Sequence, residues 1–224
     1  MTIKGIIFDM DGTLLDSMGY WRTLGDIFCD HFHIPREKGL NERLSDGLPL
    51  EPVWQSLNRR YGFSFDDTSF TEAFYAAIEP VYARKVEPKP GVPEFLREMK
   101  TRGLRLCVAT ATRHSTAVMA LEKTGLLPLL DFVLSVPEVG RGKKYPDIYL
   151  ECTRRMGLQK KEVIVFEDAL HCVKTLKRAG FFTVGVADAY TPAAEWEELA
   201  ALCDHPIGDY RELLEACRKL SAGD

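Results

Sequence analysis

Two acidic residues near the start of the chain stand two positions apart, directly after a short apolar run. Asp9 and Asp11 follow the apolar residues 6–8 and precede Gly12 and Thr13. A metal ion beside such a pair offsets the repulsion between the carboxylates and the charge of an incoming phosphate. One carboxylate can attack phosphorus, while the other protonates the leaving oxygen and then activates water. The pattern therefore suits phosphoryl transfer, with Gly12 allowing the backbone to approach the anion closely.

Short apolar runs alternate with helical stretches over most of the chain. The predicted strands cover residues 6–8, 104–109, 163–166 and 182–186. The predicted helices cover residues 92–102, 114–124, 146–156 and 169–179. Fully apolar strands and helices that end at glycine predict an α/β fold with a Rossmann-like parallel sheet. Ligands bind at the carboxyl ends of strands in such sheets, which is where Asp9 and Asp11 stand.

One long segment interrupts this alternation with helical spacing alone. Apolar and aromatic residues recur at helical intervals through residues 17–85, and no strand pattern intervenes. A stiff, proline-containing linker at residues 87–91 then restarts the α/β pattern. We therefore expect residues 1–15 and 86–224 to form an α/β core, and residues 16–85 to form an inserted helical domain. Its aromatic stripes are interpreted as the small core of that domain.

Composition narrows the range of partners and compartments. The chain has 224 residues and a net charge of −4, so no global positive field recruits nucleic acid or an anionic membrane. Its six cysteines show no CxxC spacing, which argues against a zinc site or a disulfide framework and suits a reducing compartment. No apolar run reaches the length of a signal peptide or a membrane span. We expect a cytoplasmic protein, monomeric by default, without a nucleic-acid or membrane partner.

Four segments of the chain resemble, in the right order, the four motifs of the haloacid dehalogenase superfamily. They are residues 9–14, 108–110, 142–147 and 165–168. The resemblance runs from Ile3 to about Val186, which is most of the chain. The helical insertion stands where the phosphoglucomutase-like phosphatases of this superfamily carry their α-helical (C1) cap. The resemblance implies a phosphatase of small phosphorylated metabolites, with the cap closing over the active site.

The resemblance also implies catalytic roles for four residues. Asp9 would attack phosphorus and form a phospho-aspartyl intermediate, and Asp11 would act as the general acid and base. The hydroxyl of Thr110 would bind the phosphoryl group. Lys143 would neutralise the charge of the nucleophile and the phosphate, and it is preferred over Lys144 because it follows glycine as in the family motif. The presence of Asp11 favours phosphate esters, since dehalogenases and phosphonate-cleaving members lack it.

A magnesium ion is the cofactor that the resemblance implies. Its ligands would be Asp9, the backbone carbonyl of Asp11, and Asp168. Glu167 would bind the ion directly or through water. The chain departs from the fourth motif at Ala169 and elsewhere, but these departures leave the acidic residues in place.

Two alternatives stay open from the sequence. The first is a sugar phosphomutase of the β-phosphoglucomutase type, which typically places a histidine near Trp21 in its cap. No histidine occurs between Asp16 and His31, and residues 45–50 contain no counterpart of the mutase arginine, so hydrolysis is favoured. The second is a non-catalytic protein that binds a phosphometabolite. Contacts that select the substrate are expected within residues 45–54, and the sequence does not identify the substrate.

Overall fold

A computed structural model describes residues 2–45 and 50–221 of the chain. Within them lie six strands: β1 (Gly5–Phe8), β2 (Arg105–Thr110), β3 (Phe132–Ser135), β4 (Val163–Glu167), β5 (Phe182–Val186) and β6 (His205–Ile207). The first five helices are α1 (Met18–Arg22), α2 (Leu24–His31), α3 (Leu40–Ser45), α4 (Glu51–Tyr61) and α5 (Asp67–Arg84). The remaining helices are α6 (Val92–Thr101), α7 (His114–Lys123), α8 (Val136–Val139), α9 (Asp147–Arg155), α10 (Leu170–Ala179), α11 (Ala193–Leu202) and α12 (Tyr210–Ser221).

The strands form one parallel sheet in the order β3-β2-β1-β4-β5-β6. Strand β1 is central, and its last residue, Phe8, is in register with Val108 of β2 and Phe166 of β4. The α/β fold with a parallel sheet that the sequence predicts is confirmed. Because parallel strands end at the same edge, the residues that follow β1, β2 and β4 meet there.

Both faces of the sheet are covered by helices, as the apolar strands require. On one face, Ile7 and Val165 are fully buried and pack in the same core cluster as Tyr149 of α9. On the other face, the ring of Phe8 lies 4.9 Å from that of Phe166, measured between centroids. Side chains of consecutive residues along β1 and β4 therefore point to opposite faces of the sheet. This alternation determines which helical layer each side chain contacts.

Residues Ser17–Val86 form a compact unit, and the residues up to Asp16 form another together with those from Glu87 onward. The helical unit has an aromatic core of its own: the ring of Phe28 lies 4.6 Å from Phe32 and 5.6 Å from Phe70. None of the helices within the described residues combines the length and apolar character needed to span a bilayer.

Candidate active site

The acidic motif after β1 is held in a tight turn at the carboxyl edge of the sheet. The backbone N–H of Asp9 donates to the carbonyl of Phe166 (3.0 Å), so the sheet ladder continues up to the first aspartate. Gly12 then adopts a φ of 82°, a left-handed conformation that a residue with a Cβ rarely takes. Its N–H donates to the carbonyl of Leu15 (2.9 Å) and closes the turn. The turn reverses the chain beside Asp9 and keeps the motif compact.

Three carboxylates converge at this edge. Asp9, Glu167 and Asp168 each place an oxygen within 4.8 Å of the others, and all three are buried. The hydroxyl of Thr13 donates to Asp168 Oδ1 (3.1 Å) and fixes its orientation. Carboxylate oxygens are the ligands that Mg²⁺ and other hard divalent cations prefer, so this donor set fits such an ion.

A buried lysine joins two of these carboxylates. Lys143 Nζ donates to Asp9 Oδ1 and to Glu167 Oε1, the latter at 2.7 Å. Glu167 Oε1 also accepts the hydroxyl hydrogen of Tyr149 (2.8 Å), while Oε2 accepts the backbone N–H of Ala169 (3.4 Å). Protein donors therefore engage both oxygens of Glu167, which orients this carboxylate toward the lysine.

Burial and the concentration of negative charge at the site shift the pKa values of Asp9 and Asp168. Burial raises the pKa of Asp9 to about 7, with Lys143 lowering it and the charges of Glu167 and Asp11 adding to the rise. Burial, Asp9 and Glu167 also raise the pKa of Asp168, against lowering contributions from Lys89 and Thr13. The site has more negative charge than Lys143 alone offsets, and a divalent cation would supply the missing positive charge.

Lys143 is itself stabilised as a cation by its two acidic partners. Burial disfavours its charge, but Asp9 and Glu167 outweigh that effect and hold the pKa of Lys143 well above its ordinary value. The side chain is 6% exposed. A permanently charged ammonium group therefore lies against the Asp9 carboxylate, where it can also bind a phosphoryl oxygen.

The carboxylate of Asp11 contacts the loop that follows β2. Asp11 Oδ2 accepts the hydroxyl hydrogen of Thr112 (2.7 Å), and the backbone N–H of Thr112 donates to Thr110 Oγ1 (3.0 Å). Thr110 and Thr112 are both buried. The second aspartate is thus oriented by the loop that follows β2, on the side where the Thr110 hydroxyl lies.

A second, partly buried lysine connects the linker before α6 to the end of β5. Lys89 Nζ donates to the carbonyl of Ala187 (2.8 Å) and pairs with Asp188 Oδ2 (2.8 Å). Its backbone N–H donates to the carbonyl of Leu14, close behind the acidic motif. Lys89 contributes a favourable charge to Asp168, so it belongs to the electrostatic surroundings of the site.

The sequence-family model of the haloacid dehalogenase-like hydrolases matches residues 3–180 of this chain. The chain belongs to this family. The phosphorylated carbohydrates phosphatase of Thermotoga maritima is 26% identical over 183 residues, covering 80% of this chain and 82% of that protein. The β-phosphoglucomutase of Bacillus subtilis is 24% identical over 194 residues, and the alignment covers 82% of this chain and 83% of that protein. The structure of CbbY from Rhodobacter sphaeroides in complex with phosphate has a TM-score of 0.76 at 21% identity, covering 95% and 96% of the two chains.

The haloacid dehalogenase-like fold brings the expected site residues to one edge of the sheet in two groups. Asp9, Lys143, Glu167 and Asp168 form the buried charge cluster. Asp11 lies with Thr110 and Thr112 beside it. Of the segment expected to contact substrate, residues 46–49 lie outside the described residues, and Glu51–Tyr61 form helix α4 of the helical unit.

Three residues of the site were not found from the sequence: Lys89, Thr112 and Tyr149. Thr112 had a usable signal, because it is a second hydroxyl residue directly after a predicted strand end. Tyr149 and Lys89 had none. Each reads locally as a helix or linker residue, and only the folded chain places it near the acidic cluster.

Proposed function

We propose that this haloacid dehalogenase-like hydrolase is a phosphatase that hydrolyses phosphate monoesters of small metabolites through a phospho-aspartyl intermediate on Asp9. The observation that carries the proposal is the buried contact of Lys143 with Asp9, at the strand end that also presents Asp11. This arrangement places a nucleophile, a fixed cation and a second carboxylate within one site. The phosphatase names of several relatives, including the one from Thermotoga maritima, support the same chemistry.

In the proposed reaction, a carboxylate oxygen of Asp9 attacks phosphorus and the ester oxygen leaves. Lys143 orients Asp9 and stabilises the negative charge on the phosphoryl oxygens. Thr110 Oγ1 accepts a hydrogen bond from the backbone of Thr112, so its own hydroxyl hydrogen can be donated to a phosphoryl oxygen. Water then hydrolyses the acyl phosphate, which releases inorganic phosphate and restores the Asp9 carboxylate.

Asp11 is proposed as the general acid and base of both steps. It would protonate the leaving oxygen in the first step and take a proton from the attacking water in the second. The hydrogen bond from the Thr112 hydroxyl to Oδ2 holds the carboxylate in one orientation. Asp11 is only half-buried, unlike Asp9, which suits a group that must exchange protons with substrate and water.

Mg²⁺ is the proposed cofactor, held by Asp9, Asp168 and the backbone carbonyl of Asp11. When bound, the ion supplies positive charge that offsets the carboxylates and the phosphate. Glu167 is proposed to act chiefly through Lys143, because both of its oxygens already accept hydrogen bonds from protein donors. Any contribution of Glu167 to the ion would then pass through water.

The helical segment 16–85 is proposed as a cap domain that supplies substrate contacts, with the α/β residues 1–15 and 86–224 as the catalytic core. Residues 45–54 remain the proposed specificity segment. We also propose a monomer located in the cytoplasm, where all six cysteines, found as free thiols, would remain reduced.

Phosphate release tests the proposed function directly. A panel of sugar phosphates, nucleoside monophosphates and phosphorylated acids is incubated with wild type, with Asp9→Asn and with Asp30→Asn, in Mg²⁺ or in EDTA. Asp30 is an exposed aspartate of α2 that pairs with Arg36, so its variant controls for charge loss. We expect release that requires Mg²⁺, disappears with Asp9→Asn and persists with Asp30→Asn.

The β-phosphoglucomutase relative makes a mutase the second candidate, and the same assay separates it. A mutase would release no phosphate and would interconvert sugar phosphate isomers when a sugar bisphosphate is added. That result would contradict hydrolysis while leaving the nucleophilic role of Asp9 intact. Retention of full phosphatase activity by Asp9→Asn would contradict the phospho-aspartyl mechanism for either activity.

A further inference from the structure

A tyrosine from the C-terminal helix is buried beneath the acidic cluster. Tyr210 is the first residue of α12 and is 1% exposed. Its ring stacks on Phe166, with centroids 5.7 Å apart and planes at 14°, and it lies 5.4 Å from the ring of Phe95. This packing fixes the ring on the face of the sheet opposite α9. Because the ring is held in place, the position of the hydroxyl oxygen is fixed as well.

The hydroxyl of Tyr210 has no hydrogen-bond partner among the described residues. Buried tyrosine hydroxyls are nearly always paired with protein groups or with ordered water, because an unpaired one loses its hydration without compensation. Apolar packing alone would be served equally well by phenylalanine. The hydroxyl therefore indicates a polar partner outside the polypeptide.

The position of Tyr210 identifies the neighbourhood of that partner. The ring stacks on Phe166, and Asp168 follows only two residues later in the chain. Burial raises the pKa of Tyr210 well above its ordinary value, and the charges of Asp9 and Asp168 add to the rise. The hydroxyl consequently remains protonated and acts as a donor within electrostatic range of the two carboxylates.

Lys89 is a second donor, and its backbone lies close behind the acidic motif. Two of its three N–H groups are accounted for by the carbonyl of Ala187 and the carboxylate of Asp188. Its backbone N–H donates to the carbonyl of Leu14 (2.9 Å), and the hydroxyl of the preceding residue, Thr13, donates to Asp168 Oδ1 (3.1 Å). A buried water needs two to four polar partners. Tyr210 and Lys89 can donate to such a water, and Asp168 can accept from it.

We propose that Tyr210 is a positioning residue of the metal centre, whose hydroxyl donates through one buried water to the Asp168 carboxylate. The water holds Asp168 in the orientation that binds Mg²⁺, in addition to the hydrogen bond from the Thr13 hydroxyl. Partners of this kind orient a metal ligand without touching the ion, and their loss weakens metal binding. The inference rests on the magnesium site of the proposed function.

The test is Mg²⁺ binding to EDTA-treated protein by isothermal titration calorimetry, for wild type, Tyr210→Phe and Tyr82→Phe. Phenylalanine keeps the ring and its stacking, so Tyr210→Phe removes only the hydroxyl. Tyr82 is equally buried in the helical unit, where its hydroxyl accepts a hydrogen bond from Trp21 (2.8 Å). We expect the Kd for Mg²⁺ to rise about tenfold in Tyr210→Phe, within the range typical of such partners, and to stay unchanged in Tyr82→Phe. The KM for phosphate ester at saturating Mg²⁺ should not change.

If the Tyr210 hydroxyl has neither a water nor a protein partner, the opposite result is expected. Its removal would leave the Kd for Mg²⁺ unchanged and raise the melting temperature of the metal-free protein, and this result would overturn the inference. An equal rise in Kd for Tyr82→Phe would overturn it as well, because the effect would then not be specific to the site. Wild type that binds Mg²⁺ yet releases no phosphate would contradict the proposed function alone.

Discussion

Replacing Lys143 by methionine should destabilise the metal-free protein strongly. Methionine has a similar length, so the change removes the ammonium group while largely preserving volume. Asp9 and Glu167, both buried, would each lose their hydrogen bond from Nζ. Removing one member of a buried ion pair typically costs about 3–5 kcal/mol, because the remaining charge stays desolvated and unpaired. Two carboxylates share this lysine, so we expect a loss toward the upper end of that range.

Urea denaturation at pH 7.5 in EDTA measures this loss, with Lys144→Met as the matched control. Lys144 is the adjacent lysine and its side chain is exposed. The free energy of unfolding should fall by about 3–5 kcal/mol in Lys143→Met and change little in Lys144→Met. Mg²⁺ should restore part of the loss, since the ion binds the folded carboxylates. Equal stability of the two variants in EDTA would refute the idea that Lys143 neutralises buried charge.

Two further predictions concern the second aspartate and the first. Thr112→Val removes the hydrogen bond to Asp11 Oδ2, so kcat for phosphate release should fall roughly tenfold or more, which is part of what acid–base catalysis contributes, and KM should not change. Thr124→Val is the control, because the Thr124 hydroxyl donates to the carbonyl of Ala120 in α7, and this variant should keep the wild-type kcat. A normal kcat would show that Thr112 does not orient the acid. The pKa of Asp9 lies at about 7 in the folded protein, above the ordinary 3.8, so the folded state holds more protons between these values. In urea denaturation of the EDTA-treated protein, the free energy of unfolding should therefore fall as the pH rises from about 5 to 7. Saturating Mg²⁺ should remove that trend. A free energy of unfolding that rises over this interval would contradict a buried, proton-binding Asp9.

Local patterns were sufficient for most of the sheet but not for its edges. The four predicted strands correspond to β1, β2, β4 and β5, whose apolar runs are buried on both faces. Strands β3 and β6 were not predicted. They are four and three residues long, stand at the two edges of the sheet, and owe their extended conformation to pairing with a neighbour.

The acidic motif indicates the chemistry because its members are neighbours in the chain. Asp9 and Asp11 stand two residues apart after an apolar strand, and a parallel sheet presents that position at its ligand-binding edge. The type of reaction and the nucleophile can therefore be proposed from local sequence alone. Glu167 was expected to be an acidic residue of the site, but its contacts with Lys143 and Tyr149 were not predicted.

Tertiary structure alone decided those partnerships. Lys143 meets Asp9 across 134 residues of sequence, and Tyr149 meets Glu167 across 18. Local spacing carries no information about such contacts, because they depend on how α9 and the loop before it pack against the sheet. The sequence by itself thus determined the fold class and the acidic centre, whereas burial and long-range packing determined how its charges are paired and what holds each carboxylate in place.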